Sequence, residues 1–357
     1  MRSICGIKRV INNSALGGVL CLAGLLLLSL GSGGCRATQT TTLKLGLIAP
    51  FEGAQRDLGY AVLPAVRLAV QEQNAAGGVG GYPVELVALN DENDPRQATV
   101  AALKLCVDPA VIGVIGHWTE EAVLAALPAY RDAGLPLVVP IAGDYDSFPS
   151  WVVQLAPSRQ QVARAIAGLV LQRSRTVLLF VYPEQETGWR AALAGAGVIP
   201  TSENADICLL ALDYEDTNRQ LARFDSPLQV LLNDLYLPLL PAVRNLPKDS
   251  VMAWTLLPAP GAKSNDFESA YRVQTGRSPS LQARLAYDAA TLLMSSANGA
   301  GARGGRIDRV RVGNEMRRQQ MAGVSGMLGF DDSGRRREVS IEFQSAHRLL
   351  GIPANGK

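Results

Sequence analysis

The alternation of apolar strands with amphipathic helices across residues 43–143 is the feature that most constrains the fold of this chain. Segments that are apolar along their length must be buried on both faces, which is the environment of a parallel sheet between two layers of helices. The pattern therefore predicts an α/β fold. The predicted strands are LKLGLIAP (43–50), YPVELVALN (82–90), AVIGVIG (110–116) and LPLVVP (135–140), and helices at 60–74 and 96–106 precede a third helix between the last two strands.

Ligands of a sheet of this type bind outside the carboxyl ends of its strands. The loops that follow the four predicted strands are therefore the places where a binding site is expected. They are residues 50–59, 90–94, 117–121 and 141–145.

A second α/β unit follows, and its pattern is shorter. Helices are predicted at 158–172, 188–197 and 216–224, and strands at 176–182, 205–213, 227–233 and 251–257. The chain then returns to helical spacing at 265–276, 280–296 and 309–321, and REVSIEFQ (337–344) predicts a final strand.

Arginines at 303, 306, 309, 311, 317 and 318 predict a solvated basic face, with docking on an acidic partner or lipid headgroups as the alternative.

Length and charge limit the classes of protein to consider. The 357 residues, 48% of them hydrophobic, suffice for a large core divided between two domains. The formal charge of +2 includes three basic residues of the N-terminal segment, which has no acids, and without them it is −1. A nearly neutral protein gives no electrostatic reason to expect a nucleic-acid partner.

The first 34 residues have the pattern of an export signal. Basic residues come first, an apolar stretch covers 15–30, and the small residues GSGG precede Cys35. The apolar stretch is shorter than the roughly 20 residues that span a membrane, so we interpret the segment as cleaved. Small residues before a cysteine resemble a lipoprotein signal with Cys35 acylated, although Ser32 stands where that motif usually has Leu. An ordinary secretory signal with an incidental Cys35 is the alternative.

Few residues of the chain offer metal, redox or nucleophilic chemistry. Cys106 and Cys208 are expected to be buried small hydrophobes, and His117 and His347 are the only histidines. We therefore expect no structural zinc, no cofactor and no disulfide. His117 lies near Thr119 and Glu120, but no Gly-x-Ser-x-Gly turn or other nucleophile context accompanies it, so an enzyme is not predicted.

The order of these segments resembles that of the type I periplasmic solute-binding proteins, in particular the branched-chain amino-acid and amide-binding family of ABC importers. The segments that carry the resemblance are the first strand with Pro50 and Gly53, NAAGGVGG, DENDPRQA, VIGVIGHWTEEAV, GLPLVVPIA, FESAYRVQTGRSPS, AYDAA and GMLGFDDSG. The resemblance implies two lobes, each a mostly parallel sheet flanked by helices, joined by three crossings. Since 188–213 has room for one helix where the family has helix, strand and helix, the second lobe is expected to be shortened.

The resemblance also implies how the chain is divided. Residues 1–34 are the signal peptide and 35–42 a tether. Lobe one comprises 43–155 and 258–332, and lobe two comprises 156–257 and 333–357. The expected protein is an exported, monomeric lipoprotein, held by Cys35 at the outer face of the cytoplasmic membrane or in the periplasm, that traps a small polar solute for an ABC permease. A lipid-anchored sensor, or an interaction module that no longer binds a ligand, is the alternative.

The resemblance places the ligand in the cleft between the lobes. The positions expected to present hydroxyls to a ligand carboxylate hold Glu120 and Gly143, with Thr119 as a substitute donor and Trp118 as an apolar wall or a packing residue. The lobe-two acid that meets a ligand ammonium corresponds to Asp234, and two further wall positions fall on Asp213 and Thr187. The full set of expected ligand-binding residues is Phe51, Arg56, Trp118, Thr119, Glu120, Ile141, Ala142, Gly143, Thr187, Asp213 and Asp234.

Glu120, Asp213 and Asp234 together predict an acidic cleft, in which Arg56 is the candidate counter-charge. Alternatively, Glu120 is a solvent-facing residue of a first helical turn, where it interacts favourably with the helix dipole. On the first interpretation the ligand is a cation, an amide or a neutral polar solute rather than a zwitterionic branched-chain amino acid.

Overall fold

The structure is a computed structural model that describes residues 41–143, 148–171, 176–202, 205, 207–212, 214–223, 229–233, 243, 246–247, 250–301 and 306–350. The predicted signal segment, Cys35 and most of the predicted tether lie outside these residues, as do Asp213, Asp234 and Arg303.

Lobe one is built on a five-stranded parallel sheet with the strand order β2-β1-β3-β4-β5. Both faces of the strand β1 (Leu43–Ala49) are buried: Leu43, Leu45 and Leu47 belong to one hydrophobic cluster and Ile48 to another. This two-sided burial is why the strand reads as apolar along its whole length. The strands are β1 (Leu43–Ala49), β2 (Val84–Asn90), β3 (Val111–Ile115), β4 (Leu137–Val139) and β5 (Val152–Gln154).

Among the described residues, six helices cover this sheet, three from the first part of the chain and three from the last third. The helix α1 begins four residues before the predicted start, and α2 begins at a proline capped by Asp94, whose side chain accepts hydrogen bonds from two backbone amides. The helices are α1 (Arg56–Ala75), α2 (Pro95–Cys106), α3 (Glu120–Ala133), α7 (Ser264–Thr275), α8 (Leu281–Ala300) and α9 (Arg309–Arg318).

Lobe two is built on a six-stranded sheet with the order β13-β10-β9-β8-β6-β7, parallel except for β13. The three-residue edge strand β7 was not predicted. Among the described residues of 183–212 one helix is present, as the spacing predicts. The elements are α4 (Arg159–Val170), β6 (Thr176–Val181), α5 (Pro183–Gly195), β7 (Ile199–Thr201), β8 (Ile207–Ala211), α6 (Tyr214–Leu221), β9 (Gln229–Asn233), β10 (Val251–Leu256), β13 (Ile341–Ser345) and α10 (Ala346–Leu349).

The chain passes between the lobes three times: after β5, after β10 and before β13. Two short antiparallel strands, β11 (Met321–Gly323) and β12 (Gly326–Leu328), lie beside the crossings. The segment WVVQLA (151–156) contributes β5 to the lobe-one sheet before the chain makes its first crossing. The two lobes and three crossings that the resemblance implied are therefore present.

A buried arginine connects the crossing segments. The Arg336 guanidinium, 2% exposed, donates hydrogen bonds to the carbonyl oxygens of Met327 (2.8 Å), Leu155 (3.2 Å) and Ser325 (2.8 Å), and to the Ser325 hydroxyl (3.1 Å). Asp288 of α8 accepts hydrogen bonds from the Val324 and Ser325 amides and from the same hydroxyl. Burial lowers the pKa of Arg336 to about 10 and raises that of Asp288. This cluster fixes the first and third crossings to the β11–β12 hairpin.

Two arginines of the predicted basic face have structural contacts instead. Arg309 donates to the carbonyl oxygens of Val111, Cys106 and Asp108, and Arg317 donates to those of Asp332, Phe148, Pro149 and Val152. Arg306, Arg311 and Arg318 are exposed, as a solvated face requires. The prediction of a solvated face was thus wrong for Arg309 and Arg317, because the carbonyl groups at the ends of neighbouring elements needed donors.

Candidate functional site: a cleft between the lobes

A cavity of about 270 Å³ lies between the two lobes. It lies at the carboxyl ends of strands in both sheets, where ligands of open α/β sheets bind. The residues around it are Gln55, Leu58, Trp118, Thr119, Glu120, Pro140, Ile141, Ala142, Leu281, Gln282 and Leu285 from lobe one, and Ala156, Arg159, Tyr182, Gln185, Trp189, Leu209, Leu210, Ala211, Leu212, Thr217, Leu232 and Trp254 from lobe two and the first crossing.

The loop after β3 is held in place by buried polar contacts. His117 is fully buried, with Nδ1 2.6 Å from the Asp91 carboxylate and Nε2 3.0 Å from the Tyr130 hydroxyl. Burial raises the pKa of Tyr130 well above its ordinary value, so that its hydroxyl stays protonated. Both ring nitrogens are thereby engaged behind the cleft, where His117 positions Trp118 and Thr119.

Trp118 and Thr119 are fixed in different ways. The Trp118 indole N–H donates to the carbonyl oxygen of Ile48 at 3.0 Å, and the side chain is 5% exposed. The Thr119 hydroxyl accepts a hydrogen bond from the Ala122 amide at 3.3 Å and so caps α3. Trp118 is therefore both a packing residue and a wall of the cavity.

An ion pair joins the two lobes across the cleft. Glu120, the first residue of α3 in lobe one, accepts a hydrogen bond from Nη2 of Arg159, the first residue of α4 in lobe two, at 3.1 Å. The side chains are 20% and 6% exposed. Glu120 is consequently neither a bare acid facing the ligand nor a purely solvent-facing residue. The counter-charge is Arg159, and not Arg56, which is exposed and does not line the cavity.

Aromatic side chains form much of the cavity wall. Three of the four tryptophans of the chain, Trp118, Trp189 and Trp254, line it and are 5%, 6% and 8% exposed. Tyr182 lines it as well, and its hydroxyl donates to the Asp216 carboxylate at 3.3 Å. Tyrosine and tryptophan combine a flat apolar face with one polar group, which is useful in binding sites.

The structure brings together five of the expected ligand-binding residues: Trp118, Thr119, Glu120, Ile141 and Ala142 all line the cavity. Four others do not line it. The Phe51 amide donates to Asn90, Arg56 is exposed at the start of α1, Gly143 is buried beyond the lining residues of the loop after β4, and Thr187 is exposed on α5. Asp213 and Asp234 lie outside the described residues.

Sequence reasoning missed most of the lobe-two wall, including Arg159, Tyr182, Trp189 and Trp254. Tyr182 directly follows β6, so the rule about carboxyl ends of strands, applied to lobe two, would have found it. Arg159 directly follows Ser158, which caps α4 with a reciprocal capping box at the end of the first crossing. A helix N-terminus at a crossing faces the cleft, so the start of α4 could have indicated that Arg159 lies in the site.

Other kinds of site are not indicated in the described part of the chain. No group of three His, Cys, Asp or Glu residues among the described residues is placed to hold a metal ion. Within the same ranges, no helix is both long enough and apolar enough to cross a membrane.

The fold is that of a two-lobed α/β protein with a cleft between its lobes. Residues 42–208 match the periplasmic binding protein family. The chain has the fold of the type I periplasmic binding proteins, and a segment of about a quarter of its length is similar in sequence to the Leu/Ile/Val-binding proteins.

Among its relatives, an amino acid binding protein from Pseudomonas aeruginosa is 30% identical over 96 residues, which are 27% of this chain and 26% of the relative. The Leu/Ile/Val-binding protein of Escherichia coli is 29% identical over 100 residues, 28% of this chain and 27% of the relative. The chain thus matches about a quarter of the length of these relatives.

Among solved structures, the branched-chain amino acid transporter substrate binding protein LivJ from Streptococcus pneumoniae, in complex with isoleucine, has a TM-score of 0.72 at 19% identity. The match covers 85% of this chain and 99% of that one. This likeness is one of fold.

Proposed function

We propose that the protein is the extracytoplasmic substrate-binding component of an ABC importer, and that it traps a small polar solute, such as an amino acid or an amide, between its lobes. The observation that carries the proposal is the cavity at the carboxyl ends of both sheets, with Trp118 and Glu120 on one side and Arg159 and Trp254 on the other. A ligand there contacts both lobes and stabilises the closed arrangement. Only a few backbone rotations at the crossings are needed to open the cleft again.

We propose that the protein binds its solute without changing it chemically. The family and fold to which the chain is related are those of solute-binding proteins. His117 is the residue near the cleft best suited to acid–base catalysis, and both of its ring nitrogens are bonded to buried partners. No cofactor and no nucleic acid belong to the proposed function.

Export, the lipid anchor and the transporter are further parts of the proposal. The basic start, apolar stretch and small residues before Cys35 support cleavage after residue 34 and acylation of Cys35, with the protein held, as a monomer, at the outer face of the cytoplasmic membrane or in the periplasm. A permease in the same membrane is the proposed partner. We place the lobe boundaries after residues 155, 257 and 332, close to the three crossings.

A thermal-shift screen of the purified full-length protein in mild detergent tests the proposal. The panel contains amino acids, amides, sugars and inorganic ions. A ligand that binds only the folded state at about 100 times its Kd adds about 2.7 kcal/mol to the free energy of unfolding, so one solute class is expected to raise Tm by several degrees. If every class leaves Tm unchanged, the trapping function is refuted.

A second measurement separates transport from sensing. The protein is reconstituted with its permease in vesicles and uptake of the bound solute is followed. Uptake that depends on the binding protein is expected, whereas binding without uptake would favour the lipid-anchored sensor.

A further inference from the structure

The end of lobe one that lies opposite the cleft combines exposed apolar side chains with exposed basic ones. We infer that this end lies on the bilayer that holds the lipid anchor, with Val107 and Val310 in contact with the lipids. The inference rests on the proposed acylation of Cys35 and adds the orientation in which the anchored protein is held. The surface, called the amino-end face below, consists of Leu103, Lys104, Val107, Arg306, Val310 and Arg311.

The predicted tether joins lobe one at the amino ends of its strands. At the start of β1 the Lys44 amide donates to the carbonyl oxygen of Ala110 at 2.8 Å, so this point lies beside the chain that enters β3. Cys35 comes six residues before Thr41, and a chain of that length extends over at most about 21 Å. A lipid on Cys35 therefore keeps the amino ends of the strands close to the bilayer.

The end of α2 and the start of α9 meet at the same place. Arg309, the first residue of α9, donates to the carbonyl oxygen of Asp108, two residues after the end of α2, at 2.6 Å. Val107 and Val310 flank this hydrogen bond and are 80% and 58% exposed, and Leu103, one turn earlier in α2, is 50% exposed. Single exposed apolar residues are common, but a group of them at one end is typical of an interaction surface.

The charges of the amino-end face favour anionic lipids. Lys104, Arg306 and Arg311 are exposed, and among the described residues no ion pair engages them. The acids of this end are already engaged: Asp108 is 2.7 Å from the Lys44 ammonium, with Glu85 beside the same lysine, Asp132 is 3.1 Å from Arg131, and Asp308 accepts hydrogen bonds from the amides of Val310 and Arg311. The three basic side chains are thus available to lipid phosphate groups while the apolar ones enter the headgroup region.

A bilayer fits the amino-end face better than a second copy of the chain does. A stable protein interface buries about 800 Å² on each partner, whereas this face offers three apolar side chains. A two-fold dimer through it would also bring Arg306 and Arg311 of both copies together, and like charges across an interface are unfavourable. Lipid phosphates have the opposite charge, and lipid chains accept valines without a shaped partner surface.

Docking in this orientation leaves the cleft accessible to solute. The cleft lies at the carboxyl ends of the same strands, so it is turned away from the bilayer when the amino ends face it. Lobe two has no residue in the amino-end face and can still rotate about the crossings. Binding through so few side chains is weak and reversible, so the protein can leave the surface to meet its permease.

Spin labelling of the lipid-anchored full chain in vesicles tests the orientation. The vesicles contain phosphatidylcholine and phosphatidylglycerol, and mass spectrometry first establishes whether Cys35 carries its lipid. A nitroxide is attached at Val310→Cys in a Cys106→Ala background, in which the remaining thiol, Cys208, is buried. This label is expected to collide mainly with oxygen dissolved in the lipid, whereas the same label at Glu121→Cys, exposed at the cleft end, collides mainly with a water-soluble nickel chelate. Equal collision ratios at the two positions overturn the inference.

Two pairs of charge variants test the headgroup contact. Arg306→Gln with Arg311→Gln removes two charges from the amino-end face, and Arg96→Gln with Arg277→Gln removes two exposed charges at the cleft end. A basic side chain near an anionic surface strengthens binding about fivefold, so the first pair is expected to lower the docked-to-undocked ratio of the Val310→Cys label about 25-fold. The second pair is expected to leave that ratio unchanged. Equal effects of the two pairs overturn the inference.

The apolar contact has a matched pair of valines. Val107→Asp is expected to lower the docked-to-undocked ratio about tenfold, because it places a charge against the lipid. Val273→Asp makes the same change at a valine of α7 that is 89% exposed and lies outside the amino-end face, and it is expected to leave the ratio unchanged. Circular dichroism shows that each variant is folded. An unchanged ratio in Val107→Asp overturns the inference.

Further outcomes separate this inference from the proposed function. If sedimentation velocity in detergent finds a dimer that Val107→Asp dissociates, the face belongs to a second copy and the inference is overturned. If mass spectrometry finds no lipid on Cys35, the anchor and this inference both fail. If the protein is acylated and binds a solute in the thermal-shift panel, but the two labels do not differ, the proposed function stands and this inference alone is overturned.

Discussion

Replacement of Arg336 by methionine is expected to destabilise the protein more than most single substitutions. The side chain is 2% exposed and donates to three carbonyl oxygens and one hydroxyl that join the crossing segments. Methionine removes all of these donors and also the positive charge that stabilises the buried Asp288 carboxylate. A buried acceptor left without its donor costs about 1 to 3 kcal/mol, and four acceptors lose theirs here, so we expect a loss of about 3 to 5 kcal/mol.

Urea unfolding of the full-length protein, followed by far-ultraviolet circular dichroism, measures the loss. The exposed neighbour Arg337→Met is the control and is expected to change the free energy of unfolding by no more than about 0.5 kcal/mol. In the double variant with Asp288→Asn the buried charge is gone, so about 1 to 3 kcal/mol of the loss is recovered. A loss below about 1 kcal/mol for Arg336→Met, or strict additivity in the double variant, would refute the assignment of this cluster as the connection between the crossings.

Three further outcomes can be measured. Burial raises the pKa of Tyr271 to about 12 in the folded protein, so its stabilising contribution is complete below pH 10 and lost between pH 10 and 12; Tyr271→Phe should flatten the fall in unfolding free energy across that range. Burial also raises the pKa of the Cys208 thiol, and mass spectrometry should find this residue alkylated only after denaturant is added. Arg309→Met leaves three carbonyl groups without their donor and is expected to cost about 1 to 3 kcal/mol in urea unfolding, whereas the exposed Arg311→Met costs almost nothing; equal losses would contradict the structural role of Arg309.

The regular elements of lobe one were predictable because a strand buried on two faces has a composition that no loop or surface helix shares. The pattern found β1 within one residue of its end, since Leu43 to Ile48 are apolar apart from Lys44 and Gly46. It placed the start of α1 four residues late because Arg56 and Asp57 have no apolar spacing. It missed β7, since a three-residue edge strand has too few residues for a period to be seen.

Only the lobe-one part of the candidate site could be predicted from the sequence. The rule that ligands bind at the carboxyl ends of strands indicated the loop that carries Trp118, Thr119 and Glu120, because that rule needs only local topology. Which arginine meets Glu120 depends on how one lobe faces the other. Arg56 lies in one of the expected loops, but Arg159, from the other lobe, forms the pair with Glu120. Such a contact depends on long-range packing, which hydrophobic periodicity does not report.

The pairing of α1 with helices from the last third of the chain has a consequence for how the protein is made. The Tyr287 hydroxyl of α8 donates to Glu72 of α1, and the Tyr271 hydroxyl of α7 donates to the Ala61 carbonyl at 2.8 Å. Synthesis runs from the N-terminus, so one side of the first sheet stays uncovered until about residue 300 has been added. The second sheet in turn gains β13 only after residue 341. Lobe one is thus completed only after most of lobe two has been made, and lobe two is completed last, so a nascent chain released early is a target for proteolysis.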